Sequence, residues 1–289
     1  MYLKHFGLIE SPFGLTPDPD FVYLDAQHQA ALQTLLLALD SGEGFVKVTG
    51  EVGTGKTLLC RRLMAALPAN VVSAYLFNPR LDPAGLLRAL ACELGLRPDV
   101  HDGEHTLYQL IESELLQLAA RGQRVVVCVD EAHALPQRSL EALRLLSNLE
   151  TRKRKLIQIA LFGQTELDDM LRTPALRSLA SRIAFGAQLQ GMPFNDFRRY
   201  LHHRMTVAGW RGHPVFSMAA ASLLWRASSG VPRTANLLAH QCLMLAYGRG
   251  EHEVGVGDAL AVWRERWRLL GGPVHIGAAQ LGALQGERQ

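Results

Sequence analysis

The eight residues Gly50-Glu51-Val52-Gly53-Thr54-Gly55-Lys56-Thr57 spell G-x-x-x-x-G-K-T, and no other stretch constrains the fold of this chain as tightly. The pattern carries meaning only between a strand and a helix. Both are in place: the apolar run Phe45-Val46-Lys47-Val48 precedes it, and the helical run Leu58-Leu59-Cys60-Arg61-Arg62-Leu63-Met64 follows. Glycines let successive backbone N–H groups curl around one hollow at a helix N-terminus, where the helix dipole favours phosphate oxygens. Lys56 is then expected to reach the β and γ phosphates of ATP and Thr57 to ligate Mg2+, and the whole run from Gly50 to Leu58 is assigned to nucleotide contact.

Around this loop the apolar periodicity predicts alternating strands and helices. Val71–Phe77, Arg124–Val129 and Leu156–Phe162 read as strands, the second so rich in β-branched residues that burial on both faces of a parallel sheet is expected. A further short strand is predicted near 183–189. Leu32, Leu35, Leu36 and Leu39 repeat at helical spacing after Asp25, a candidate N-cap, and helices are predicted near 83–94, 104–120 and 136–149. This alternation is that of a doubly wound α/β domain, placed at residues 25–190. From Pro193 every periodic segment is helical (193–208, 217–228, 233–247 and 257–270), so an all-α domain is expected over 191–270. Residues 1–24, rich in proline, aspartate and aromatics, read as an ordered arm, and the Gly- and Ala-rich residues 271–289 as a flexible tail.

Composition excludes several classes. A formal net charge of +3 over 289 residues gives no global field for nucleic acid or anionic lipid. Cys60, Cys92, Cys128 and Cys242 form no C-x-x-C, which points to reduced thiols and away from disulfides or zinc. No stretch approaches the roughly 18 apolar residues of a membrane span, and the first residues have no signal-peptide core. The expectation is a cytoplasmic protein, without direct membrane insertion.

Hydrolysis of ATP needs more than a phosphate loop: a metal-anchoring acid and a group that orients water. Val129-Asp130-Glu131 supplies both at the end of a buried strand, Asp130 for the Mg2+ shell and Glu131 for the attacking water. Asp130-Glu131-Ala132-His133 also spells a helicase box, but a helicase of that kind needs a second α/β domain, and the pattern after residue 190 is helical throughout.

These residues resemble the AAA+ ATPases and, within them, the secretion-associated ExeA/GspA group with its MshM-like pilus members. The opening His5-Phe6-Gly7-Leu8, Ser11-Pro12-Phe13, Thr16-Pro17-Asp18-Pro19, Phe21-Val22-Tyr23-Leu24 and His28 is similar to that group's N-terminal arm, which the resemblance implies closes over the adenine. It further implies an AAA+ core followed by a helical lid. Gln164, after the strand Leu156–Phe162, falls where the family places a sensor of the γ-phosphate. Arg182, in Ser181-Arg182-Ile183, falls where an arginine enters the neighbouring subunit's site, with Arg177 as substitute. Arg233, in Gly230-Val231-Pro232-Arg233, falls where a second sensor faces the phosphate from the lid. An arginine finger accelerates phosphoryl transfer by about 10³ to 10⁵ in related sites, so a lone subunit is expected to be nearly idle and the working form to be a homo-oligomeric ring or filament.

The resemblance implies partners in a type IV pilus or type II secretion-related complex at the inner membrane. In the secretion-associated group a membrane span and a periplasmic peptidoglycan-binding region usually follow the ATPase; neither follows within residue 289, and the shorter MshM-like form is expected. The rival reading is an ATP-dependent, DNA-binding regulator of transposition. Its feature here is Thr151-Arg152-Lys153-Arg154-Lys155, a basic loop able to grip phosphates; the mixed basic and aromatic run Trp263-Arg264-Glu265-Arg266-Trp267-Arg268 reads instead as a lid helix packed on its neighbours or a docking site for a membrane-associated partner.

Overall fold

The computed structural model describes residues 2–14, 21–77, 80–151 and 154–269. The expectations for Thr16–Pro19, for Arg152 and Lys153, and for the tail at 271–289 lie outside them. In chain order the elements are α1 (Tyr2–His5), α2 (Ala26–Asp40), β1 (Phe45–Gly50), α3 (Lys56–Ala66), β2 (Val71–Leu76), α4 (Pro83–Glu93), α5 (Glu104–Ala120), β3 (Arg124–Val129), α6 (Gln137–Leu146), β4 (Ile157–Gly163), α7 (Glu166–Leu171), α8 (Arg177–Ala180), β5 (Ile183–Leu189), α9 (Phe194–Val207), α10 (Met218–Ser228), α11 (Pro232–Gly248) and α12 (Val256–Leu269). The chain divides into two compact units, Ala26–Leu189 and, together, Met1–Asp25 with Gln190 onward.

The first unit is a parallel sheet in the order β2-β3-β4-β1-β5 with helices on both faces. The β-branched run of β3 explains how it is covered. Val125, Val127 and Val129 point to one face, where they join Leu86, Leu90, Leu107, Ile111, Leu140 and Leu143 of α4, α5 and α6. Val126 and Cys128 point to the other, where Leu35, Leu39, Leu59 and Leu63 of α2 and α3 close over them. Alternation with period two and burial on both sides is what a central parallel strand requires. Strand β4, inserted between β3 and β1, is buried along its whole length.

The second unit gathers α9 to α12 around Phe197, Leu201, Leu224, Leu238, Leu243 and Val262, and the same core takes in Tyr2, Phe6, Leu8, Phe13 and Phe21 from the chain's first residues. Arg204 of α9 fastens that opening segment. Its buried guanidinium donates to the carbonyls of Pro12 (2.6 Å), Gly14 and Phe21 (both 3.4 Å) and lies 4.6 Å from the Phe21 ring centroid. A guanidinium does not shed its charge, so carbonyls and an aromatic face are what make its burial tolerable. The α10–α11 corner is equally specified: Ser229 and Gly230 both take positive φ (50° and 70°), and Pro232 occupies the first helical position. A Cβ on Gly230 would lie 2.3 Å from the Met192 carbonyl oxygen. Cys60, Cys128 and Cys242 are buried, Cys92 is exposed, and all four are free thiols.

Candidate functional site

The loop after β1 has the geometry its glycines require. Gly53 and Gly55 adopt φ of 86° and 96°, which side-chain-bearing residues avoid, and α3 begins at Lys56 with no side chain capping its first turn. An uncapped start of an eleven-residue helix, wrapped by a glycine loop, is a cradle for phosphate. Thr54 braces the loop by donating from Oγ1 to the Glu51 carbonyl at 2.9 Å. Lys56 is buried, and its Nζ donates to the carbonyls of Gly50 and Glu51, both at 2.8 Å. Burial holds the Lys56 ammonium below the ordinary lysine pKa, an effect opposed by the Glu131 and Asp130 carboxylates. Its contacts are neutral carbonyls, so a phosphate would offer it a full counter-charge. Thr57 and Leu58 follow in the first turn of α3, half-buried, and Glu51 and Val52 are exposed at the loop's outer side.

The acid pair follows β3. Strand register sets Val129 beside Leu161 and Val48 beside Phe162, so Asp130 stands level with Val48, two residues before the end of β1, across the intervening β4. Two strand spacings amount to about 10 Å, room for a phosphate and its cation between the two. Asp130 is buried; its Oδ2 accepts from the Tyr75 hydroxyl and its Oδ1 from the Glu131 backbone N–H, both at 3.0 Å. The Tyr75 phenol is pushed well above its usual pKa, chiefly by burial and then by the Asp130 charge, so it remains a donor. Glu131 has left-handed backbone (φ 54°, ψ 36°), a conformation that costs a non-glycine residue about 1–3 kcal/mol and marks functional turns. Its carboxylate is 41% exposed and sits 3.4 Å from His133 Nδ1.

Gln164 directly follows β4, half-buried, on the same carboxyl edge of the sheet and between the other two groups, since β4 separates β1 from β3. Arg182 stands at the opposite edge. Ile183 pairs with Phe45, the first residue of β1, so Arg182, one residue earlier, is set back from Gly50 by about 20 Å of strand. Arg177 is exposed at the start of α8. Arg233 belongs to the other unit, exposed on the first turn of α11, and is not among the residues that the sheet unit itself gathers.

Three side chains to which sequence reasoning gave no phosphate, metal or sensor role touch the site's members, and one of them, expected as part of the opening arm, stands on α2. Tyr75 and His133 are two. The third is His28 of α2, whose Nε2 lies 2.8 Å from the Thr54 carbonyl; a carbonyl only accepts, so Nε2 carries the proton. A Cβ on Gly55 would come within 2.9 Å of that nitrogen, so His28 and Gly55 fix each other. Alternation on β3 does put Cys128 and Asp130 on one face, but nothing local in the sequence reveals partners 26 or 55 residues away.

The residues fit ATP with Mg2+. Among the described residues no cluster of three or more His, Cys, Asp or Glu could hold a metal alone. Thr57 and Asp130 are hard oxygen donors of the kind that bind Mg2+ together with substrate phosphates and water. No helix of the described residues is long and apolar enough to cross a membrane.

A family model described as "AAA domain" matches residues 39–171. General secretion pathway protein A of Aeromonas hydrophila is 44% identical over 258 residues, 89% of this chain and 47% of that protein, so the chain spans about half the length of this relative. Among solved structures, the Aeropyrum pernix ORC2 protein in ADPNP–ADP complexes superposes with a TM-score of 0.63 at 17% identity, covering 89% of this chain and 71% of that one. Cdc6p from Pyrobaculum aerophilum gives 0.65 at 12% identity, covering 97% and 90%. The RuvB Holliday junction branch migration motor of Thermotoga maritima gives 0.52 at 18% identity, covering 86% and 72%. The sheet unit therefore has the AAA P-loop fold, with a helical part following it.

Proposed function

From an AAA P-loop sheet whose carboxyl edge carries Lys56, Gln164, Asp130 and Glu131 together, we propose that this chain is an ATP-hydrolysing subunit of a homo-oligomer that drives assembly of a secretion or type IV pilus complex. In this reading the loop from Gly50 to Leu58 binds the phosphates, Thr57 and Asp130 hold Mg2+, and Tyr75 keeps Asp130 aimed. The cation would supply charge neutralisation between the β and γ phosphates. Glu131 polarises the attacking water, with Gln164 beside it to orient the γ-phosphate end. Arg233 is the lid's contribution.

The observation that carries the oligomer is the distance between the two edges of the sheet. Set back by about 20 Å of strand, Arg182 is out of reach of the phosphates of its own loop, so its use as a finger requires a second copy. The contact is heterologous and closes a ring or extends a filament. Secretion or pilus partners are read from the 44% identity to General secretion pathway protein A, of which this chain spans about half; placement at the inner membrane through such partners follows the same reading. The transposition reading draws less support: of the basic residues near the loop at 151–155, Lys155 is occupied by Glu150 and Arg124 by Asp40.

Mixing decides the matter. Arg182→Ala and Lys56→Ala proteins are each expected to be nearly inactive, and their mixture to regain ATPase activity. Two inactive proteins that associate by light scattering and stay inactive when mixed would remove the shared site. Glu131→Gln is expected to retain ATP while losing turnover about 10²- to 10⁴-fold, the span assigned to a positioned acid or base. Tight, ATP-dependent DNA binding that weakens with salt would instead support the rival.

A further inference from the structure

Resting on the reading of Glu131 as the group that activates water, we propose that His133 is a positioning residue for that carboxylate. ATP turnover by Asp130 and Glu131 leaves the last letter of Asp130-Glu131-Ala132-His133 without a role, yet its placement is specific. His133 sits on the short 3-10 turn Ala132–Ala134, its side chain only 17% exposed. Its Nδ1 faces two partners, the Gln164 backbone N–H at 3.3 Å and Glu131 Oε2 at 3.4 Å. Among the described residues it is the one hydrogen-bonding or ion-pairing partner of the Glu131 carboxylate.

One nitrogen cannot serve both partners at once, because an amide N–H only donates and a carboxylate only accepts. With a lone pair on Nδ1, the ring accepts from Gln164 and is anchored to the end of β4. Two lone-pair-bearing atoms then face each other across 3.4 Å, and Glu131 is free to turn to water. With a proton on Nδ1, the ring donates to Glu131 instead, holds it aside, and releases the Gln164 N–H. The backbone position at Gln164 therefore decides whether Glu131 is held or freed. The left-handed backbone of Glu131 fixes where its side chain starts, which leaves the remaining freedom of the carboxylate to this contact.

Steady-state kinetics, ATP binding and nitrogen-15 NMR of histidine-labelled protein test the assignment. His133→Ala is expected to lower kcat by about 10- to 100-fold, the range for partners that orient a functional ligand, with ATP affinity unchanged. His133→Asn, whose amide oxygen can accept from the Gln164 N–H as the lone pair of Nδ1 does, is expected to recover most of that loss. Glu131→Gln should shift the His133 Nδ1 resonance of the nucleotide-free protein. An alanine variant with parental kcat, an asparagine variant as slow as the alanine one, a parallel fall in ATP affinity, or a resonance indifferent to Glu131→Gln each overturns the proposal. A parent that binds ATP without ever cleaving it removes the hydrolytic reading instead, and the resonance then still decides whether the two side chains are linked.

Discussion

Lys56 shows how a single residue can be structural and functional in turn. Its ammonium is buried on two loop carbonyls, holding the loop in shape, and its lowered pKa records the desolvation involved. The folded protein thus binds that proton less tightly than the unfolded chain does. The stability of the nucleotide-free protein is accordingly expected to rise with pH between the lowered folded value and the ordinary lysine value, and Lys56→Met should abolish that rise in a denaturation series across alkaline pH. Ligand linkage gives the complementary outcome. ATP at about 100 times its Kd adds about 2.7 kcal/mol to the parent, some 5–10 °C in the melting of a unit this size. In Lys56→Ala the shift should vanish in a calorimetric scan.

Among the elements, β1 passes into the loop at a glycine pressed against β5. A Cβ on Gly50 would lie 2.5 Å from the Leu189 carbonyl oxygen and 3.0 Å from Thr54 Oγ1. Gly50→Ala is therefore expected to cost about 1–3 kcal/mol by overpacking and to weaken ATP binding as the loop is displaced, read from the urea midpoint and from nucleotide titration. Much at this scale was legible beforehand. The runs around Val46, Val127 and Ile159 are apolar for reasons that hold wherever a strand is covered on both faces, so β1, β3 and β4 stand where periodicity put them. The order of those strands was not legible, because adjacency depends on which crossover helix packs where. That order alone brings Gln164 between the loop and Asp130. Helices α7 and α8 also escaped: six and four residues are too few to show a helical period. The link between His28 and Thr54 escaped because a buried histidine has no local signature.

For the whole molecule, two units rather than a linear series of segments is the organising fact. The opening residues that read as a separate arm share a core with α9 to α12, an arrangement that no local pattern announces. Phe6 is 1% exposed within it, and Phe6→Ala is expected to cost about 3–5 kcal/mol. The loss should be confined to that unit: hydrogen exchange should speed up in α11 and α12, while β1, β3 and β4 keep their protection. Uniform deprotection of the sheet would contradict the division.

The same division sets a timetable for synthesis. Tyr2, Phe6, Leu8, Phe13 and Phe21 leave the ribosome ahead of the sheet unit, but Val262, which closes their core, is translated on the order of ten to fifty seconds later. The intervening residues Ala26–Leu189 are a complete compact unit in that interval. A nascent chain stalled near residue 190 would thus display a folded nucleotide domain trailing an apolar leader with nothing to cover it, a natural client for a chaperone.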